Sequence, residues 1–277
     1  MNNQKEIYFH IGLERTGTTY LQHRFFPYLR GIEYLDKSYY KNDKYVKAIN
    51  SSDKNKFFVS HEFPPGTVKK ELKKIAENYP HAGIIVTLRN HMGWLTSQYK
   101  RQLKKGKSLD FPQYFSINNN QGKIQKDDLY YYPLVQKIEH LFTKKPLVLL
   151  YRTLKHTPHK YFNKICSYTG TSYPVRKINL TPKHTSYNNK QLILMRSFGS
   201  QIFDQSFSYS DHYLVRRFQK YLRMIPRYLI LYGSLLIPNR FLRDTAIIKP
   251  ATKNKISRLF SEDWEKCIKY INQSSSC

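Results

Sequence analysis

Acidic residues are the first scarcity. Only 19 Asp and Glu stand against 47 Lys and Arg in 277 residues, giving a formal net charge of +28. That field disfavours cationic partners and favours polyanions: nucleic acid, an anionic membrane, a phosphorylated cofactor or an acidic glycan. Cysteine is nearly absent. Cys166, Cys267 and Cys277 have spacings that fit neither a zinc cluster nor a disulfide framework, so a reducing, cytoplasmic setting is expected. Residues 1–6 are polar and run directly into a strand-like stretch, so no secretory signal is expected. Long apolar runs are missing too. The longest, 228–237 between Pro226 and Pro238, would cover roughly half of a ~30 Å hydrocarbon core as a helix. Tryptophan (2) and glycine (11) are few, whereas 24 Tyr and 16 Phe are many, and hydrophobic residues make up 40%. Wholesale disorder is thereby excluded.

Short apolar runs at 7–11, 56–60, 83–88 and 146–151 read as strands without alternation, as strands buried on both faces should. Between them, helices are expected from the spacing of Leu21, Phe25 and Leu29, and over 67–78, 92–105 and 134–142. Alternation of this kind predicts an α/β fold, a three-layer αβα arrangement around a parallel sheet. One domain over 1–277 is expected: an α/β core at 5–190, a mainly helical region at 191–250 and a terminal helix within 251–277. Ligands of such sheets bind at the carboxyl ends of the strands.

Gly12-Leu-Glu-Arg-Thr-Gly-Thr-Thr19 follows the first strand. Loop amides ahead of a helix, two threonine hydroxyls and a guanidinium make a natural phosphate site. A nucleoside triphosphate loop would read GxxxxGK[ST]. Gly12 and Gly17 have that spacing, but Thr18 stands in the lysine position and the cation moves forward to Arg15, which argues against a magnesium-dependent kinase. Arg15-Thr16-Gly17-Thr18-Thr19 resembles, position by position, the [KR]-[ST]-G-T-[ST] loop of the sulfotransferase family. The longer stretch 10–22 looks like its bacterial members, most of which carry Lys where this chain has Arg15.

The resemblance extends over roughly 5–190 and implies a sulfotransferase fold of P-loop-like type. It also implies 3′-phosphoadenosine-5′-phosphosulfate (PAPS) as sulfuryl donor, with the 3′,5′-bisphosphate PAP as product. Arg89 at a strand end and Ser97 eight residues on match the family's 3′-phosphate pair, although His91 replaces its usual Pro. Apart from the family, Arg89 could equally make a surface ion pair. Ser60-His-Glu-Phe-Pro64 follows the second strand and is similar to the segment that carries the family's base. Alignment on the Pro puts Glu62 there, ionised at neutral pH with an ordinary pKa near ~4.3, and His61 is the second choice. Lys183, His184 and Ser186 lie in a loop that looks like the family's cofactor-closing loop. The implied reaction is in-line transfer to an acceptor hydroxyl, expected on a saccharide, with no metal required. Two other classes stay open: a basic nucleic-acid-binding protein, for which no recognisable module is present, and a nucleotide kinase.

Residues 191–250 match no family pattern. Arg216, Arg217, Lys220, Arg223, Arg227, Arg240 and Arg243 surround the 228–237 run. Two readings follow: a buried helix flanked by solvated charges, or peripheral contact of 216–243 with an anionic membrane that carries a linked glycan acceptor.

Overall fold

A computed structural model describes residues 4–107, 109–181, 187–202, 208–238 and 246–274. The chain runs through β1 (Glu6–Leu13), α1 (Thr18–Arg24), β2 (Glu33–Leu35), α2 (Lys37–Tyr40), α3 (Lys44–Ser51), β3 (Lys56–Phe63), α4 (Val68–Asn78) and β4 (Gly83–Leu88). Next come α5 (His91–Lys104), α6 (Phe111–Tyr114), α7 (Tyr132–Leu141), β5 (Leu147–Leu150), α8 (Tyr151–His156) and α9 (Pro158–Thr169). The rest is helical among the described residues: α10 (Asn189–Ile202), α11 (Tyr213–Gly233), α12 (Pro250–Leu259) and α13 (Ser261–Gln273). Two compact units emerge. The first comprises Met1–Trp94, Asp127–Lys183 and Phe260–Cys277, and the second Leu95–Lys126 and His184–Leu259.

The first unit is built on a five-stranded sheet in the order β2-β3-β1-β4-β5, and every pairing is parallel. All of β4 and all but the first residue of β1 are buried, because helices cover both faces. On one face Phe9, Ile11, Phe57 and Val59 pack with residues of α3, α4, α7 and α13, among them Tyr45, Leu72, Ile138 and Cys267. On the other, Tyr8, Phe58 and Ile85 pack with Leu21 of α1 and with Phe162 and Ile165 of α9. The chain therefore leaves β1 toward the α1 face, whereas α4 after β3 and α7 ahead of β5 lie on the opposite face. Loops that part in this way open a crevice at the carboxyl end of β1.

After β5, α8 is capped at Thr157 and Pro158 begins α9. Two elements differ from the sequence reading. The edge strand β2, not expected there, has only three residues, too few for a period to register. The terminal helix is two helices, broken at Phe260, whose buried ring stacks on His91 at 4.4 Å between centroids. Three residues later the buried Asp263 carboxylate accepts from the Tyr131 and Tyr132 amides, each at 3.0 Å. It also lies 3.1 Å from His91 Nε2, which donates to the Leu129 carbonyl at 2.9 Å. Asp263 thus ties α13 to the start of α7 and to the start of α5.

In the second unit, the Asp110 amide donates to Gln113 Oε1 at 3.0 Å and opens α6. Arg196 of α10 lies 3.5 Å from Asp110. Gln191 Nε2 donates to the Leu231 carbonyl at 2.9 Å, joining α10 to α11. The Lys190 ammonium donates to the Ile237 carbonyl. A buried helix around 228–237 is not found: α11 begins at Tyr213 and most of its side chains are exposed.

Candidate active site

The loop between β1 and α1 is shaped by two left-handed residues, Arg15 (φ 65°) and Gly17 (φ 91°), on either side of Thr16. Such alternation is how successive amides come to converge on one point. For arginine the left-handed region costs about 1–2 kcal/mol, a strain held by the surroundings. Gly17 meets a second constraint: a Cβ there would stand 2.6 Å from Leu154 Cδ2. Thr16 is buried, and its hydroxyl donates to the Leu13 carbonyl at 2.5 Å. A Cβ on Gly12 would collide with Thr18 Oγ1, so the first residue of α1 sits directly over the end of β1. Thr18 is 1% exposed, and its hydroxyl oxygen is buried with no hydrogen-bond partner among the described residues. Thr19 beside it is exposed.

The carbonyls of this loop are held by groups that follow β4. Trp94 Nε1 donates to the Glu14 carbonyl at 2.6 Å, and Arg89 Nη1 donates to the Arg15 carbonyl at 2.9 Å. The Arg89 guanidinium also stacks over the Tyr151 ring at 4.6 Å. Arg89 is thus not in a surface ion pair: among the described residues no carboxylate pairs with it, and one of its five N–H donors serves the loop. Burial lowers its pKa from the ordinary guanidinium value, and the nearby Arg15 charge pushes the same way. Two guanidiniums beside this loop make a place where a multiply charged anion relieves repulsion.

Alternation along β3 separates the two candidate bases. Ser60 faces α1, since Gln22 Nε2 donates to its carbonyl and hydroxyl oxygens at 3.2 Å each, and His10 Nδ1 lies 3.0 Å from Ser60 Oγ. Two residues on, Glu62 shares that face. It is the register partner of Gly12, the residue over which Thr18 of α1 sits, so Glu62 lies at the same end of the sheet and on the face that Thr18 covers. His61 points the other way. It stacks on Tyr40 at 4.4 Å and meets Phe63 edge-on at 4.9 Å, and burial lowers its pKa, which keeps it neutral near pH 7.

Of the other expected residues, Ser97 is buried on α5 in the second unit. Lys183, His184 and Ser186 lie outside the described residues. Groups with no sequence signal are Trp94, which grips the loop, and His10. The latter is wholly buried, with its pKa lowered to about 3 by that burial. Tyr151 was read as the last residue of a strand, whereas β5 ends at Leu150 and Tyr151 opens α8. Among the described residues no group of His, Cys, Asp or Glu could hold a metal ion, and no helix is long and apolar enough to cross a membrane.

No family model matches the sequence, and no curated protein matches it. Solved structures do resemble the chain. A sulfotransferase from Alicyclobacillus acidocaldarius is similar at 12% identity and a TM-score of 0.48, over 87% of this chain and 99% of that one. Mouse sulfotransferase SULT7A1 complexed with PAP is similar at 14% identity and a TM-score of 0.38, over 93% of this chain and 84% of that one.

Proposed function

We propose that this protein is a sulfotransferase that uses PAPS and acts on a hydroxyl, with a saccharide as the acceptor class. The observation that carries the reading is the 15–19 loop. The carbonyls of Glu14 and Arg15 at its start are gripped by Trp94 and Arg89, and the buried Thr18 hydroxyl within it has no partner among the described residues. A donor held dry and unpaired has a cost of its own and is accounted for by an acceptor that arrives with a ligand. The sequence pattern of the loop, similar to the phosphosulfate loop of sulfotransferases, supports the same ligand.

The residues divide the work as follows. Loop amides from Gly17 onward, with the Thr18 and Thr19 hydroxyls, hold the 5′-phosphate; the Thr16 amide is spent on the Leu13 carbonyl at 3.3 Å. α1 spans only seven residues, so the loop's own amides, not a long helix dipole, supply most of the field. Arg89 takes the 3′-phosphate with the donors that the Arg15 carbonyl does not use. PAPS supplies a sulfuryl group joined to a phosphate leaving group. Glu62 accepts the proton of the attacking hydroxyl, and Arg15 neutralises charge on the departing phosphate oxygen. His61, turned to the other face and neutral, serves packing.

Thermal unfolding with PAP tests the reading. At a hundred times Kd, ligand linkage contributes about 2.7 kcal/mol, which raises Tm by about 5–10 °C in a chain of this size. Arg89→Ala removes most of that shift. A wild-type protein whose Tm does not respond to millimolar PAP refutes the proposal.

A further inference from the structure

Twelve of the eighteen large apolar side chains exposed among the described residues lie between 213 and 236. They are not scattered. Leu214, Phe218, Leu222, Ile225 and Leu229 recur at i, i+4, i+8, i+11 and i+15 along α11, which makes one continuous stripe. Their exposures are 65, 62, 48, 53 and 68%. Tyr221, Tyr228 and Tyr232 border the stripe, and Leu235 and Leu236 extend it past the helix end, the latter 86% exposed. The side of α11 joined to α10 is the opposite one, where Leu231 is fully buried. The broader apolar face of this helix therefore points away from its own unit, an inversion of the usual arrangement.

Charge decides what covers that face. No Asp or Glu occurs between 213 and 238, while Arg216, Arg217, Lys220, Arg223 and Arg227 all do. Arg216 approaches Asp211 at 3.5 Å, and the Arg217 guanidinium lies 5.9 Å from the centre of the Tyr221 ring. At about 100° per residue Arg216, Lys220 and Arg227 fall on the side of the helix away from the stripe and Arg217 on its flank, the division of an interfacial amphipathic helix. A second copy of a chain of net charge +28 brings no carboxylate on this helix to answer them. An anionic lipid surface answers both features: acyl chains take the leucines and phenylalanine, and headgroups take the exposed Arg216, Arg217 and Lys220. Tyrosines suit the boundary between the two. With five cations in its 21 residues, α11 does not cross a bilayer, and at ~1.5 Å per residue it lies along one for roughly 30 Å.

We infer that α11 is a docking helix for anionic membrane surfaces, its Leu214–Leu229 stripe entering the acyl boundary with the basic side chains at headgroup level. Co-sedimentation tests this without nucleotide, using vesicles of phosphatidylcholine alone and of phosphatidylcholine with phosphatidylglycerol. The wild type is expected to bind the anionic vesicles preferentially and to be released by added salt. Each leucine withdrawn from water corresponds to roughly a tenfold factor in partition. Leu222→Glu with Leu229→Glu should therefore weaken binding a hundredfold or more. These positions are exposed, so circular dichroism should show the same helix content. Gln at Arg216, Arg217 and Lys220 should weaken binding to anionic vesicles and leave neutral vesicles unaffected. Failure of the wild type to bind anionic vesicles overturns the inference, as does undiminished binding by the double Glu variant. A wild-type dimer that the same variant makes monomeric, with no vesicle binding, assigns the face to a second copy instead and likewise overturns it.

Discussion

Replacing Thr18 by valine is expected to move stability and nucleotide affinity in opposite directions. Valine keeps the β-branched shape and the χ1 preference of threonine, so the contact over Gly12 is retained while the hydroxyl becomes a methyl. In the free protein that hydroxyl is buried without a partner among the described residues, a condition that costs about 1–3 kcal/mol. Thr18→Val should recover much of this, visible as a higher urea midpoint at unchanged slope. With PAP present the sign reverses. A hydrogen bond to a charged phosphate contributes about 1.5–3 kcal/mol, so its loss weakens binding by about 10- to 150-fold, readable by titration calorimetry. Thr18→Ser is the control: it keeps the hydroxyl and the affinity but loses a buried methyl. A Thr18→Val protein less stable than wild type, or one that binds PAP with wild-type affinity, refutes the reasoning that the hydroxyl waits for a phosphate.

Glu62→Gln should lower kcat by about 10²–10⁴ while PAP affinity stays near wild type, whereas His61→Phe should retain turnover; equal losses in both would return the base to an open question. Asp263→Ala removes the acceptor of two buried amides and the carboxylate beside His91, so denaturant unfolding should show a loss of about 3–5 kcal/mol; a loss under 1 kcal/mol would contradict the tie. His10, with a folded-state pKa lowered to about 3, is refused a proton that the unfolded chain accepts below about 6.5. Its contribution is therefore complete above that pH and is lost as pH falls toward 3, at about 1.4 kcal/mol per unit. His10→Asn should flatten the stability–pH curve of the wild type by that slope between pH 6 and 4; parallel curves would count against the buried neutral imidazole.

How much of this was legible in the sequence follows from range. β1, β3, β4 and β5 were readable because strands covered on both faces are unbroken apolar runs, and the loop between β1 and α1 because Gly and Thr occupy fixed local offsets. Three-residue β2 left no period to detect. The choice between His61 and Glu62 could not be read locally, since adjacent residues in a strand look alike until the sheet shows which face meets α1. The grip of Arg89 on the Arg15 carbonyl spans 74 positions, and that of Asp263 on Tyr131 spans 132. Neither has a local signature. The apolar spacing of α11 was present in the sequence, but such spacing ordinarily marks a face that packs inward, so its outward aim needed coordinates.

The tie made by Asp263 has a consequence for how the chain is made. The middle strand of the sheet is β1, yet the last piece of its layered unit, 260–277, follows the whole of 184–259. A growing chain can pair β1, β3, β4 and β5 early, but the Tyr131 and Tyr132 amides and the face covered by Cys267 and Ile271 stay open until translation passes α13. Nascent chains halted before that point expose an apolar sheet face during synthesis, the situation in which folding helpers and degradation machinery compete for a client.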